Sequence, residues 1–477
     1  MTTVLAIDSG TSGTKAVVVD GAGSVLAAVE VALRPNHLAG GAVEQDPEAL
    51  FDSVVTAGRR ALAEAGVPVH AIALANQGES VLAWDPATGR PLTPVIVWQD
   101  RRAEPWCRAH AAHRDRVHTL TGLELDPYFS APKMRWLRDT LTPEGVVTTT
   151  DTWLVHRLCG AFVTDASTAS RSLLMDLDAV AWSTELLELF GLDGERMPRI
   201  VASDEVVGET AEFGPVLPVT GLVVDQQAAL LAQACLAPGT AKCTFGTGAF
   251  VLAQTGAEAV RSESGLTSSV AWRLGGHTSY CLDGQVYTAA SAVRWAVDAG
   301  LLDSAGALDA AAAPSSDGVL FVPGFAGLAA PWWDPMATAT VSGMRLGTGA
   351  AQIVRALVEG IACSVAELTA LVGADVGTAL TRLRVDGGLT RSSALMQAQA
   401  DLCQVPVEVY PSAHATPLGA AACARLAFEP GADLAALVGG WTAERTYLPA
   451  WSVDRARTHL ERWHRLAEAV LAQENSW

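Results

Sequence analysis

The chain has 477 residues, of which half are hydrophobic and 17% charged, and its 51 acidic against 32 basic side chains leave a formal charge of −19 at pH 7. That length exceeds what one hydrophobic core serves, so two large domains with a cleft between them are expected. The acidic balance is spread along the chain and repels nucleic acid and anionic membrane, and no uninterrupted apolar run reaches membrane-spanning length, so neither partner is expected.

The opening MTTVLAID enters a strand with no charged and apolar leader, so no signal peptide is read and the cytoplasm is the expected location. TVLAIDS, KAVVVD and SVLAAVEVAL follow as an antiparallel meander. Between the first two lies DSGTSGTK, Asp8 to Lys15, which holds far more glycine and hydroxyl than a hairpin turn needs. A helix then begins at Asp46 as N-cap and Pro47 as first helical residue. Its face is Leu50, Phe51, Val54, Val55 and Leu62, and Gly66 ends it. Next come the strand AIALAN, a strand pair around the Pro-Ala-Thr-Gly turn of VLAWDPATGRPL, and PVIVWQD. In PVTGLVVDQQAAL an apolar strand runs into Asp225 and Gln226 and then a helix.

Near residue 235 the pattern restarts. GTAKCTFGTGAFVLAQTG is a second strand, Gly-Thr-Gly turn and strand, echoing the first in layout but not in letters. A long helix follows in AAQIVRALVEGIACSVAELTALV, with Ile353, Leu357 and Ile361 spaced by four. LRVDGG carries a strand into Asp386-Gly387-Gly388, and a further helix runs through Met396 and Leu402. The eight cysteines form no C-x-x-C pair and sit in apolar patterns, so reduced core thiols are expected and a zinc site is not.

Neither G-x-x-x-x-G-K-[ST] nor a G-x-G-x-x-G after the first strand is present, which disfavours nucleotide binding of those two kinds. Instead three glycine and hydroxyl loops stand at strand ends: Asp8 to Thr14, Thr244 to Gly248, and Asp386 to Gly388. Successive N–H groups in such turns make concave anion sites, and two of the loops add an aspartate, as a phosphate and metal site needs. Asp225 alone reads as an N-cap. Set between such a site and a hydroxyl substrate, it would accept the alcohol proton during phosphoryl transfer.

Over residues 1 to about 430, AIDSGTSGTKAVVVD, NQGESVLAWDPATGRPLTPVIVWQDRR, TGLELDPYFSAPKMRWL, DTWLVHRLCG, TDASTASRSLL, VVDQQAALLAQACLAPGTAKCTFGTGAFVLAQTG, FVPGFAGLAAPWWDPMA and LRVDGGLTRSSALMQAQADLCQVPVEV resemble, in order, the FGGY carbohydrate kinases and within them the glycerol-kinase branch. The resemblance implies an α/β chain of two ribonuclease H-like domains of the actin and sugar-kinase type, 1–234 and 235–477, with ATP and Mg²⁺ in the cleft between them. It assigns Asp8 to the metal, Thr11, Ser12 and Lys15 to a first phosphate loop, and Gly246, Thr247 and Gly248 to a second. Gly347, Thr348, Gly387, Gly388 and Gly419 match positions that cradle the adenosine. Asp225 corresponds to the catalytic base and Gln226 to its substrate-contacting neighbour, while Glu79, Trp98, Tyr128 and Phe250 match the polyol pocket.

One departure stands out. Glycerol kinases read N-Q-R-E where this chain reads Asn76-Gln77-Gly78-Glu79. Gly78 would leave the volume of a guanidinium empty, for a four- or five-carbon polyol, unless another side chain reaches in. Glu79 argues against the Q-M-H-G motif of xylulose kinases. The expected activity is thus transfer of the γ-phosphoryl group of ATP to a primary hydroxyl of a small polyol or sugar. Glycerol comes first, a longer polyol or ketose second and a non-catalytic nucleotide-binding regulator third; a homodimer is left open.

Overall fold

The structure is a computed structural model and describes residues 2–474. The opening meander is β1 (Val4–Ser9), β2 (Gly13–Val19) and β3 (Val25–Ala32), paired antiparallel in sequence order. Helix α1 (Pro47–Ala65) packs on them with its predicted ends. The Asp46 carboxylate accepts from the N–H groups of Glu48 and Ala49, and Gly66 closes the helix in the left-handed region at φ 61°. The chain then returns as β4 (Ala71–Asn76), parallel to β1, and later adds β5 (Gly208–Thr210) and β6 (Leu217–Val224), giving the order β5-β6-β4-β1-β2-β3. β6 is parallel to β4.

The second sheet repeats this plan. β7 (Thr240–Phe245) and β8 (Ala249–Gly256) form the glycine-turn hairpin, β9 (Thr267–Leu274) and β10 (His277–Val286) extend it on one side, and β11 (Arg382–Asp386), β12 (Val407–Val409) and β13 (Arg445–Tyr447) on the other. The order is β9-β10-β8-β7-β11-β12-β13. The central strand β7 is antiparallel to β8 and parallel to β11, as β1 is to β2 and β4. The echo in the sequence is therefore topological, as two ribonuclease H-like domains require.

Helix α2 (Asp225–Ala232) follows β6 directly. Helix α3 (Ala350–Val376) is 27 residues long and apolar enough to cross a membrane by composition, but it is the spine of the second core, burying Leu357, Ile361, Val365 and Leu368. All eight cysteines are free and six are buried, in keeping with reduced core thiols.

The division near residue 235 separates the two sheets, yet one element crosses it. Helix α4 (Ala415–Phe428) leaves the second sheet and lies on the first, where its run Ala420 to Ala424 joins Val4, Ala6, Ala73, Ala75 and Val223 in one buried cluster. Two glycines permit the approach. Gly221 sits at a bulge in β6 with φ 62°, and a Cβ there would stand 2.7 Å from the Ala420 carbonyl oxygen. At Gly419 a Cβ would be 1.9 Å from the Ala228 carbonyl oxygen of α2. Gly419, which the resemblance gives to the nucleotide, is thus demanded by helix-on-helix packing.

Candidate active site

Because β6, β4 and β1 run parallel and adjacent, their C-terminal ends gather Asp225, the Asn76-to-Glu79 turn and Asp8 at one edge of the first sheet. The ends of β7 and β11 deliver Thr244 and Asp386 from the second. A cavity of about 860 Å³ lies between the two edges. It is lined by Thr11, Ser12, Gly246 and Thr247 of the two glycine turns and by Asp225 and Gln226. The predicted pocket residues Gly78, Glu79, Trp98, Tyr128 and Phe250 also reach it.

The aromatic wall spans both domains. Trp98 meets Tyr128 edge-on at 5.5 Å between ring centroids and meets Phe250, on β8, at 6.0 Å. The Trp98 indole N–H donates to Thr11 Oγ1 at 2.8 Å, and that hydroxyl donates to Gln77 Oε1 at 3.0 Å, so the first glycine turn is tied to the pocket. The loop bearing Tyr128 is held from behind by buried Lys133, whose ammonium donates to the carbonyls of Pro127, Tyr128 and Phe129 at 2.7, 2.6 and 2.6 Å. Burial drives that ammonium down to about 7.

Glu79 is buried and holds φ 58°, a left-handed conformation rare for a residue with a Cβ and typical of over-determined functional turns. Its carboxyl is pushed up by burial and opposed by Arg171, with which it forms an ion pair. The other arm of Arg171 donates from Nη1 to Asp283 Oδ1 of β10 at 3.1 Å, joining the two domains. Burial works against the Arg171 charge, yet Asp283 and Glu79 hold it well above its ordinary value. The sequence leaves two readings of Gly78, an opened pocket or another side chain reaching in, and the structure has a side chain there. A Cβ on Gly78 would meet Val224 Cγ2 at 3.0 Å and Arg171 Nε at 3.8 Å, so a guanidinium already stands beside it.

On the phosphate side, burial and then the facing Asp225 push the Asp8 carboxyl up to about 7, with Lys15 opposing. Asp225 is likewise raised by burial and opposed first by Lys242. Two buried carboxylates, both held above the usual range and one of them raised further by the other, are short of positive charge. Among the described residues no group of three or more His, Cys, Asp or Glu side chains forms a ready-made cage. Such a donor set suits a cation that keeps most of its waters and takes one or two carboxylates together with phosphate oxygens. Lys242 is fully buried. Its ammonium donates to Gln226 Oε1 and, at 2.9 Å, to Thr244 Oγ1, and Thr244 in turn donates to Asp386 Oδ1 at 2.6 Å.

The turns differ in what their glycines do. The Gly246 N–H donates to the Gly248 carbonyl at 2.9 Å, and only that oxygen, at 3.9 Å, would approach a Cβ on Gly246, so a ligand can reach its backbone. Gly248 is required sterically, since a Cβ would lie 2.4 Å from the Val286 carbonyl oxygen. Gly387 is similarly confined, with φ 94° and a Cβ 2.4 Å from the Phe245 carbonyl oxygen, whereas Gly347 has open space around it and a Cβ on Gly388 would meet only Arg391 Nη2, at 3.9 Å. Asp8, Lys15, Gly248, Gly347, Thr348, Gly387, Gly388 and Gly419 lie outside the cavity lining, and Lys15 donates to the Ala413 carbonyl at 3.3 Å. Arg171, Asp283, Lys242 and Lys133 went unnoticed in the sequence. The one local cue was a charged side chain inside an otherwise apolar or small-residue run, as in TAKCTF and STASRSLL.

Residues 3–232 match the N-terminal domain, and residues 241–428 the C-terminal domain, of the FGGY family of carbohydrate kinases. A glycerol kinase of Aromatoleum aromaticum is 40% identical across 98% of this chain and 98% of its own, and one of Bordetella parapertussis is 41% identical across 98% and 96%. The crystal structure of Plasmodium falciparum glycerol kinase with ADP superposes with a TM-score of 0.90 at 30% identity, covering 99% of this chain and 98% of that one. Ligand-bound xylulose kinase from Lactobacillus acidophilus shares the fold, with a TM-score of 0.88 at 20% identity over 100% and 98% of the two chains. With both halves matched and relatives of that identity aligned end to end, the chain belongs to the FGGY family of carbohydrate kinases.

Proposed function

We propose that the protein transfers the γ-phosphoryl group of ATP to a primary hydroxyl of glycerol. The observation that carries this reading is the position of Asp225. It stands at the end of β6 where one cavity opens on one side to Glu79, Trp98, Tyr128 and Phe250 and on the other to both glycine turns. The names of the relatives support the acceptor, and the Arg171 side chain beside Gly78 argues for a three-carbon polyol over a longer one.

The polyol is oriented by the Glu79 carboxylate and walled by Trp98, Tyr128 and Phe250, which keep water from competing for the phosphoryl group. Asp225 holds the attacking hydroxyl and takes its proton late, because the transition state is loose and little basicity is needed early. Lys242 fixes the Gln226 side-chain oxygen, and so the orientation of that amide next to the base. The triphosphate is held by the turns at Thr11 and Ser12 and at Gly246, Thr247 and Gly248, with Lys15 at the rim. The adenosine falls toward Thr348, Gly388 and the open backbone at Gly347, and Gly387 shapes the turn before Gly388. Asp8 would hold Mg²⁺, which when bound neutralises charge on the transferring phosphate oxygens.

A panel of polyols and ketoses in an ADP-release assay tests the reading. Glycerol should give the highest kcat/KM. ADP release that no member of the panel stimulates would refute it.

A further inference from the structure

Arg171 is the one arginine in the cavity lining that is buried, and its contacts leave its fork incompletely used. A guanidinium carries five N–H donors. Among the described residues, Nε is taken by Glu79 Oε1 and Nη1 by Asp283 Oδ1, and Nη2 has no partner. Glu79 is in the same condition, since its Oε1 is engaged and its Oε2 has no partner. Neither free atom is sealed away among the buried polar atoms that lack a bond. The ion pair therefore leaves a charged donor, Nη2, and a charged acceptor, Oε2, unused on two residues of the cavity lining.

Adjacent hydroxyls need that combination, because one can accept from the guanidinium while the next donates to the carboxylate. We propose that Arg171 is the specificity-determining residue of this chain, and that with Glu79 it reads two neighbouring hydroxyls of the polyol. This rests on the polyol-kinase reading given above. Asp283 is on the second domain, so the fork is held in its reading position only when the two domains are together. Recognition of the diol and closure of the cleft thus share one side chain. Gly78 belongs to the same arrangement, for a longer side chain there would compete with Arg171 for its place.

The test compares the full chain with Arg171→Gln and Arg171→Lys on glycerol and on its two deoxy analogues, 1,3-propanediol and 1,2-propanediol, by ADP release. ADP binding and circular dichroism check that each variant is folded. A lost charged hydrogen bond predicts that Arg171→Gln lowers kcat/KM for glycerol by about 10- to 150-fold, mostly through KM. The analogue lacking the hydroxyl that Arg171 reads should change little, so the preference for glycerol over it collapses. Arg171→Lys, which keeps the charge between the carboxylates but not the fork, should restore part of the preference and serves if the glutamine variant does not fold. An equal loss on glycerol and both analogues, with the preference intact, would mean that Arg171 only supports the fold and would overturn the proposal. A wild-type chain that no polyol stimulates would instead remove the kinase reading, and this proposal with it.

Discussion

Replacing Lys242 with methionine removes one positive charge from the floor of the cleft while keeping most of the side-chain volume. In the native chain the ammonium donates to Thr244 Oγ1 at 2.9 Å, and that hydroxyl donates to Asp386 Oδ1 at 2.6 Å. Two such bonds in series keep the ammonium within roughly 5.5 Å of the Asp386 carboxylate, where a unit charge pair at an effective dielectric of about 20 interacts by about 3 kcal/mol. Asp225 is the weaker of these two carboxylate partners of Lys242, so it feels less than that interaction. Burial already holds the Asp225 carboxyl above the usual range, and Lys242 is the first group opposing that shift. Losing the ammonium therefore moves the acid limb of kcat/KM upward, so activity is lost on the acid side of the profile and recovered as pH rises. The assay is the pH profile of polyol-dependent ADP release, with Tm measured alongside. A folded variant whose acid limb has not moved would refute the electrostatic link between Lys242 and the base.

Asp225→Asn should bind ADP with unchanged affinity and lose kcat by about 10²- to 10⁴-fold, the usual contribution of a general base, and turnover close to wild type would remove Asp225 from that role. Burial and Asp225 push the Asp8 carboxyl from its ordinary 3.8 up to about 7, so between those pH values the folded chain carries a proton that the unfolded chain has lost. Stability from this group accordingly falls as pH rises through that window, and metal-dependent nucleotide binding, which needs the carboxylate, strengthens over the same window. Titrating ATP with and without Mg²⁺ at pH 6 and 8 checks this. The benefit of Mg²⁺ should be larger at pH 8, and Asp8→Asn should abolish the difference. Gly78→Arg should lower glycerol kcat/KM, because the new side chain meets Val224 and displaces Arg171 from its place beside Glu79. Improved use of glycerol would mean that Arg171 is not needed in that place.

Local chemistry made much of this legible. The Asp46, Pro47 and Gly66 ends of α1 were readable because caps are written in adjacent residues. The two glycine-bearing hairpins were readable because a turn that must approach a ligand needs its glycines in a row. Trp98, Tyr128 and Phe250 were legible only through the collinear resemblance, for nothing in their own neighbourhoods distinguishes a pocket aromatic from a core one. The Arg171 contacts were beyond reach for a plainer reason. Its partners lie 92 and 112 residues away, and a buried ion pair between distant segments leaves no periodic trace. Gly78 stayed open between two readings for the same cause, since the volume of an absent side chain can be filled from anywhere in the fold.

Helix α4 has a consequence for how the chain is made. The face of the first sheet formed by Val4, Ala6, Ala73, Ala75 and Val223 is covered by residues that emerge from synthesis about two hundred positions after that sheet's last strand ends. A nascent first half therefore carries an uncovered apolar face through the whole synthesis of the second sheet. The first half reaches its native state only as the final helices arrive, and a gene cut near residue 235 yields a sticky fragment with its strands in place and its lid missing.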